Sequence, residues 1–81
     1  MRAEVTLDDG SRGWTRDVSA AGIFLELDGP ARVGDPLAFS MRLEHVDSRG
    51  PVNITCEGTV VRVEPHRDSV GVGVALASFR V

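Results

Sequence analysis

The sequence predicts an all-β fold: a small antiparallel barrel of six strands, closed or nearly closed, with little or no helix. Three observations carry this. Apolar residues alternate with polar ones along most of the chain, the two-residue period of a strand with one face buried. Gly-, Pro- and Asp-containing turn sequences separate these runs at short intervals. No window sustains a 3.6-residue apolar period over three turns. Closure follows because an open six-stranded sheet leaves two edges exposed, and a barrel removes them.

The elements follow in order. Ala3, Val5 and Leu7 alternate in a first strand, and Asp8-Asp9-Gly10-Ser11 supplies turn chemistry. Arg12 to Asp17, carrying Trp14, returns as a second. Ile23, Leu25 and Leu27 alternate in a third, ended by Asp28-Gly29-Pro30. The turn Val33-Gly34-Asp35-Pro36 leads to Leu37, Phe39, Met41 and Leu43. A polar loop is expected from Val46 to Pro51, then a fifth strand with Val52, Ile54 and Cys56. Gly58 is read as a β-bulge at which the apolar phase slips by one residue, through Val61 and Val63. Pro65-His66-Arg67-Asp68-Ser69 turns the chain into a last strand of Val70, Val72, Val74 and Leu76, with Phe79 near its end.

Composition bounds the function. At 81 residues the chain is read as a single domain, residues 1–81. With no long apolar run there is no membrane span, and the N-terminus lacks the apolar core of a signal peptide. The lone Cys56 excludes an internal disulfide and a multi-cysteine zinc site, so the cytoplasm is the expected compartment. The net charge of −3 argues against a DNA or RNA polymer, whose binding needs a basic stripe. It leaves room for a ligand with one or two phosphates. All nine basic residues are arginine, which genome composition explains.

The most informative stretch is Asp17-Val18-Ser19-Ala20-Ala21-Gly22, with the spacing D-x-S-x-x-G. A carboxylate two residues before a hydroxyl places both on one face of extended chain. The glycine permits a turn with φ > 0 or a close ligand approach. The same residues also make a common Asx or ST turn.

Four segments in order carry a resemblance to the PilZ domain, a bacterial six-stranded barrel family whose best-known members bind cyclic di-GMP. Asp17 to Gly22 matches the [D/N]-x-S-x-x-G motif in full. Val33-Gly34-Asp35-Pro36-Leu37 resembles the turn before the family's fourth strand. Gly58-Thr59-Val60-Val61-Arg62-Val63 resembles its G-x-V-x-R-V strand, and Val72-Gly73-Val74-Ala75-Leu76 with Phe79 its closing strand. The resemblance implies a second-messenger receptor module in which Asp17, Ser19 and Gly22 meet the ligand. The Asp17 carboxylate would accept from the guanine N1–H and N2–H2 donors, and Ser19 can donate or accept. An arginine pairs with O6 and N7, or stacks, or binds phosphate.

Nucleotide-binding members carry an R-x-x-x-R segment before the first strand. Here only Arg2 stands there, leaving Arg2, Arg16 and Arg62 as the available cations and predicting weak binding. Arg12-Gly13-Trp14-Thr15-Arg16 has that spacing, but it lies on the second strand and is read as coincidence. Two functions stand side by side. One is a cyclic di-GMP receptor that signals to an adjoining effector domain or protein partner. The other is a degenerate barrel serving as a protein–protein interaction module without nucleotide. An OB- or SH3-like barrel outside the family is a third reading.

The remaining polar and aromatic residues have plainer readings. Trp14 packs half-buried rather than stacking a base. His45 and His66 are surface residues without metal-ligand spacing. Arg62 lays its stem over the barrel and reaches water. Cys56 is a buried small hydrophobe. No nucleophile, base and orienting group stand together in the sequence, so enzyme activity is not expected, and no cofactor or metal is implied.

Overall fold

A computed structural model describes residues 3–19, 22–47 and 50–81, with the side chains of residues 45–47 excepted. Six strands make up the described fold: β1 (Glu4–Leu7), β2 (Arg12–Val18), β3 (Gly22–Leu27), β4 (Pro36–Asp47), β5 (Gly50–Pro65) and β6 (Val70–Arg80). All neighbouring pairs are antiparallel, and the sheet closes in the order β1-β2-β3-β6-β5-β4. The expected barrel is therefore present, and the described residues contain no helix. Among them no helix is long and apolar enough to cross a membrane.

The alternation read from sequence fills the interior. Val5, Leu25, Val60 and Val72 are at most 1% exposed, and Ile23, Leu27, Phe39, Met41, Cys56 and Val74 join them in one cluster. Thr15 is the one buried polar residue among those described. Its Oγ accepts from the Ala3 amide at 2.7 Å, and its own amide donates to the Ala3 carbonyl at 2.9 Å. This mutual pairing carries the β1–β2 contact past the end of β1 and satisfies the buried hydroxyl. Burial pushes the Cys56 thiol pKa up, so the thiolate is disfavoured, as befits a packing residue.

Two details depart from the sequence reading. The loop expected from Val46 to Pro51 is mostly strand: β4 runs to Asp47, β5 starts at Gly50, and these two residues pair. The phase of β5 does not slip at Gly58. Even-numbered positions from Val52 to Val60 keep facing inward, and the slip comes at Val61, where Val60 pairs with Val74 but Arg62 with Gly73. Val61 is 56% exposed while Val60 is buried. The register shift beside Gly58 puts the extra residue, Ala77, on β6 instead. Gly58 keeps the inward phase, and a Cβ there would meet the Ala75 carbonyl oxygen, which accounts for glycine at this position. Two adjacent valines leave the phase ambiguous in sequence, and long-range pairing decides it: Gly34 donates to the Val60 carbonyl at 2.8 Å, and the Val60 amide donates to Asp35 O at 2.9 Å.

A further bulge lies in β2. Thr15 pairs with Leu25 and Asp17 with Phe24, leaving Arg16 as the extra residue. Arg16 and Asp17 consequently both face outward, where strict alternation would have sent one of them into the core.

The outer wall is tied across strands by Glu26. Its Oε2 accepts from Ser69 Oγ at 2.7 Å, fastening the β5–β6 turn to β3, and its Oε1 accepts from Arg16 Nη1 at 3.0 Å. His66 Nδ1 stands 3.4 Å from the same Oε1. The Ser69 hydrogen bond, helped by His66 and Arg16 and opposed by partial burial, holds the Glu26 pKa below its ordinary 4.5.

Two predictions follow from this architecture. Leu25→Ala removes a wholly buried side chain from the barrel centre and should cost about 2–5 kcal/mol in urea unfolding; a loss under 1 kcal/mol would mean that the interior is loosely packed. For Glu26, a pKa lowered in the folded state contributes stability above the unfolded value and loses it as pH falls through the folded one. Melting followed from neutral pH to below 4.5 should show wild type losing more stability than Glu26→Gln; parallel curves would refute the linkage.

Candidate ligand-binding groove

The D-x-S-x-x-G segment spans the end of β2 and the start of β3, with residues 20 and 21 outside the described residues. The Ser19 amide donates to the Gly22 carbonyl at 2.9 Å, and the Ser19 hydroxyl donates to the same oxygen at 3.3 Å. Ser19 thus closes the turn as the plainer reading anticipated. Its oxygen lone pairs stay available to a donor outside the protein. Gly22 is not a left-handed turn residue, since positive φ among the described glycines belongs to Gly10, Gly34 and Gly50. It is a strand residue paired with Ala75, and a Cβ there would meet the Val74 carbonyl oxygen. Close backbone packing, not turn geometry, accounts for glycine at this position.

Asp17, Ser19, Gly22 and Arg62 line one open groove of about 410 Å³ on the outside of the barrel. Its floor is Gly73 and Ala75 of β6, and Phe24 of β3 borders it. The barrel order explains the meeting: Asp17 of β2 pairs with Phe24 of β3, Phe24 with Gly73 of β6, and Gly73 with Arg62 of β5, so one row across four strands carries both Asp17 and Arg62. The bulges at Arg16 in β2 and Val61 in β5 sit on opposite sides of this floor, exposing Arg16 and Asp17 on one side and Val61 and Arg62 on the other. Bulges re-aim side chains in this way at binding sites.

The Asp17 carboxylate is exposed and has no hydrogen-bond or ion partner among the described residues. Arg62 places its guanidinium carbon over the Phe24 ring, 5.0 Å from the centroid, and Nη2 binds Glu64 Oε2 at 2.9 Å. Arg16 also reaches the Phe24 ring, at 5.9 Å, but its charge is bound by Glu26 and it borders the groove rather than lining it. Arg2 lies outside the described residues. Arg12, at the far end of β2, does not line the groove. Trp14 is 42% exposed on the outer wall, in register with Glu4 and Glu26, and is not a groove residue. His66 is a surface residue as expected, though its imidazole is engaged with Glu26, and the His45 side chain lies outside those described.

Phe24 was missed in the sequence. It stands in the outward phase of a strand whose inward residues are all apolar, and an outward aromatic between two inward ones was the available signal.

A second concavity, of about 430 Å³, opens at one mouth of the barrel between Val18, Met41, Ile54, Leu76 and Phe79, with Cys56 among its lining residues. It is almost wholly apolar and shares Ser19 and Ile23 with the groove.

No curated protein and no solved structure matches the sequence. A family model does match, that of the PilZ domain, over residues 1–80. With the closed six-stranded barrel and the D-x-S-x-x-G turn at the lip of an outer groove, this near-complete match places the chain in the PilZ domain family of ligand-binding regulatory domains.

Proposed function

We propose that residues 1–81 act as a single cyclic di-GMP-binding module of a bacterial cytoplasmic signalling system, and that the outer groove holds the ligand. The observation that carries this reading is the convergence of Asp17, Ser19, Gly22 and Arg62 on one groove in a chain of the PilZ family. The Asp17 carboxylate, without a partner among the described residues, accepts from the guanine N1–H and N2–H2 edge. The Ser19 oxygen, its proton already given to Gly22, serves as an acceptor beside it. At Gly22 and Gly73 no side chain keeps the ligand from the backbone. Arg16 and Arg62 supply positive charge at the groove's two sides. Binding is read by an adjoining effector domain or a protein partner, and no chemistry is performed on the nucleotide.

The interaction-module alternative draws support from a specific feature. Ser19 satisfies both its amide and its hydroxyl within the turn, so the turn is held without a ligand, and the neighbouring mouth is apolar.

Calorimetry with cyclic di-GMP on the 81-residue chain decides between them. The sequence carries Arg2 alone ahead of β1, where nucleotide-binding members carry two arginines. Two charge-assisted contacts at ~1.5–3 kcal/mol each amount to about two to four decades of affinity. The expected dissociation constant is therefore of order 10 µM or weaker. Submicromolar binding would show that no arm is needed and would bring Arg12 and Arg16 forward.

Substitution tests the residues. Asp17→Ala and Ser19→Ala should each weaken binding by ~1–3 kcal/mol while leaving the melting transition cooperative, because both side chains lie outside the core. Arg12→Ala should change little. An Asp17→Ala variant that binds as wild type does would favour the interaction module.

A further inference from the structure

Arg62 invites assignment as a phosphate clamp, since it is a cation at the edge of the groove. Its surroundings suit a different task. The guanidinium carbon lies over the Phe24 ring at 5.0 Å from the centroid, so the group is backed by an aromatic surface. One edge is held by Glu64, with Nη2 to Oε2 at 2.9 Å, so part of the positive charge is already compensated before any ligand arrives. The side chain is nonetheless 64% exposed and lines the groove, so it remains open to a ligand there.

The Phe24 ring is itself fixed. A Cβ on Gly71 would fall 2.7 Å from Phe24 Cζ, and one on Gly73 would fall 3.8 Å from its Cδ1 and 3.3 Å from Arg62 Cβ. The ring therefore lies down on β6 where two glycines leave the wall bare, and the Arg62 stem passes beside it. Side chains at either glycine would lift the ring or displace the arginine.

Resting on the reading of the groove as a cyclic di-GMP site, we propose that Phe24 and Glu64 are positioning residues holding Arg62 as a flat plate on which a purine ring of the ligand stacks. Arg62 then reads the ligand's aromatic face, while Asp17 and Ser19 across the β6 floor read a hydrogen-bonding edge. A guanidinium stacks on an aromatic plane through weakly hydrated faces, which an ammonium lacks. The site thereby requires a base as well as a phosphodiester, and selects a nucleotide over a simple phosphate.

Calorimetry with cyclic di-GMP tests this on wild type and on Arg62→Lys, Arg62→Ala, Phe24→Leu, Phe24→Tyr and Glu64→Gln, with melting checked for each. Stacking on a base predicts that Arg62→Lys weakens binding about as much as Arg62→Ala, roughly tenfold, although lysine keeps the charge. Phe24→Leu should weaken binding several-fold and Phe24→Tyr should restore it. Glu64→Gln should stay within about twofold of wild type, since the amide oxygen still accepts from Nη2. A phosphate clamp predicts the reverse: Arg62→Lys close to wild type, and Glu64→Gln tighter because a competing carboxylate has gone. Either of those results overturns the stack while leaving the cyclic di-GMP reading intact. Absence of binding by wild type at millimolar ligand overturns that reading and the stack with it.

Discussion

Closure of six strands around a single layer of apolar side chains is the constraint on which everything else in this molecule depends. The interior admits one inward residue per pair along each strand, and Val5, Leu25, Val60, Val72 and their neighbours fill it. Closed sheets need local bending, and here β2 and β5 each carry an extra residue, at Arg16 and at Val61. Those two bulges shape the barrel and the groove together, because each turns two consecutive side chains to the outside. Without the bulge at Arg16, Asp17 could not share the outer face with it. Without the one at Val61, Arg62 would fall in the phase that faces inward. The surface chemistry is in this sense a by-product of how the wall curves.

The outer wall on this side is a connected set of charges around one aromatic ring. Phe24 has a guanidinium from each side, Arg16 at 5.9 Å and Arg62 at 5.0 Å. Each arginine is matched by a carboxylate, Glu26 for the first and Glu64 for the second, and His66 stands between these at 3.4 Å and 4.0 Å. Exposed pairs of this kind add little to stability one at a time. Their effect is on orientation: each arginine is drawn along the wall toward its acid, and the open centre of the groove is left to Asp17, which has no partner among the described residues. Glu26 differs from Glu64 in being largely covered and bonded to Ser69, so it also fastens the β5–β6 turn.

The groove and the apolar mouth adjoin through Ser19 and Ile23. Ser19 at the end of β2 and Ile23 in β3 thus form a shared rim between the two.

The two-residue alternation, the turn residues and the absence of a helical period determined the strand number, the barrel and the inward residues outside the second half of β5, because burial of one face is a local periodic demand. The D-x-S-x-x-G spacing likewise marked Asp17, Ser19 and Gly22 without any structure. Tertiary pairing decided the rest. Whether Val60 or Val61 faces inward depends on the backbone partners that Gly34 and Asp35 offer, which lie some 25 residues away in the chain. Gly22 is glycine because the Val74 carbonyl approaches it, a contact between β3 and β6 that no local pattern announces. The strand order β2-β3-β6-β5 brought Arg62 into one groove with Asp17, with Phe24 and Gly73 between them and the Phe24 ring beneath the Arg62 guanidinium. Periodicity specifies which face of a strand is buried; only the closed order of strands specifies which exposed faces become neighbours.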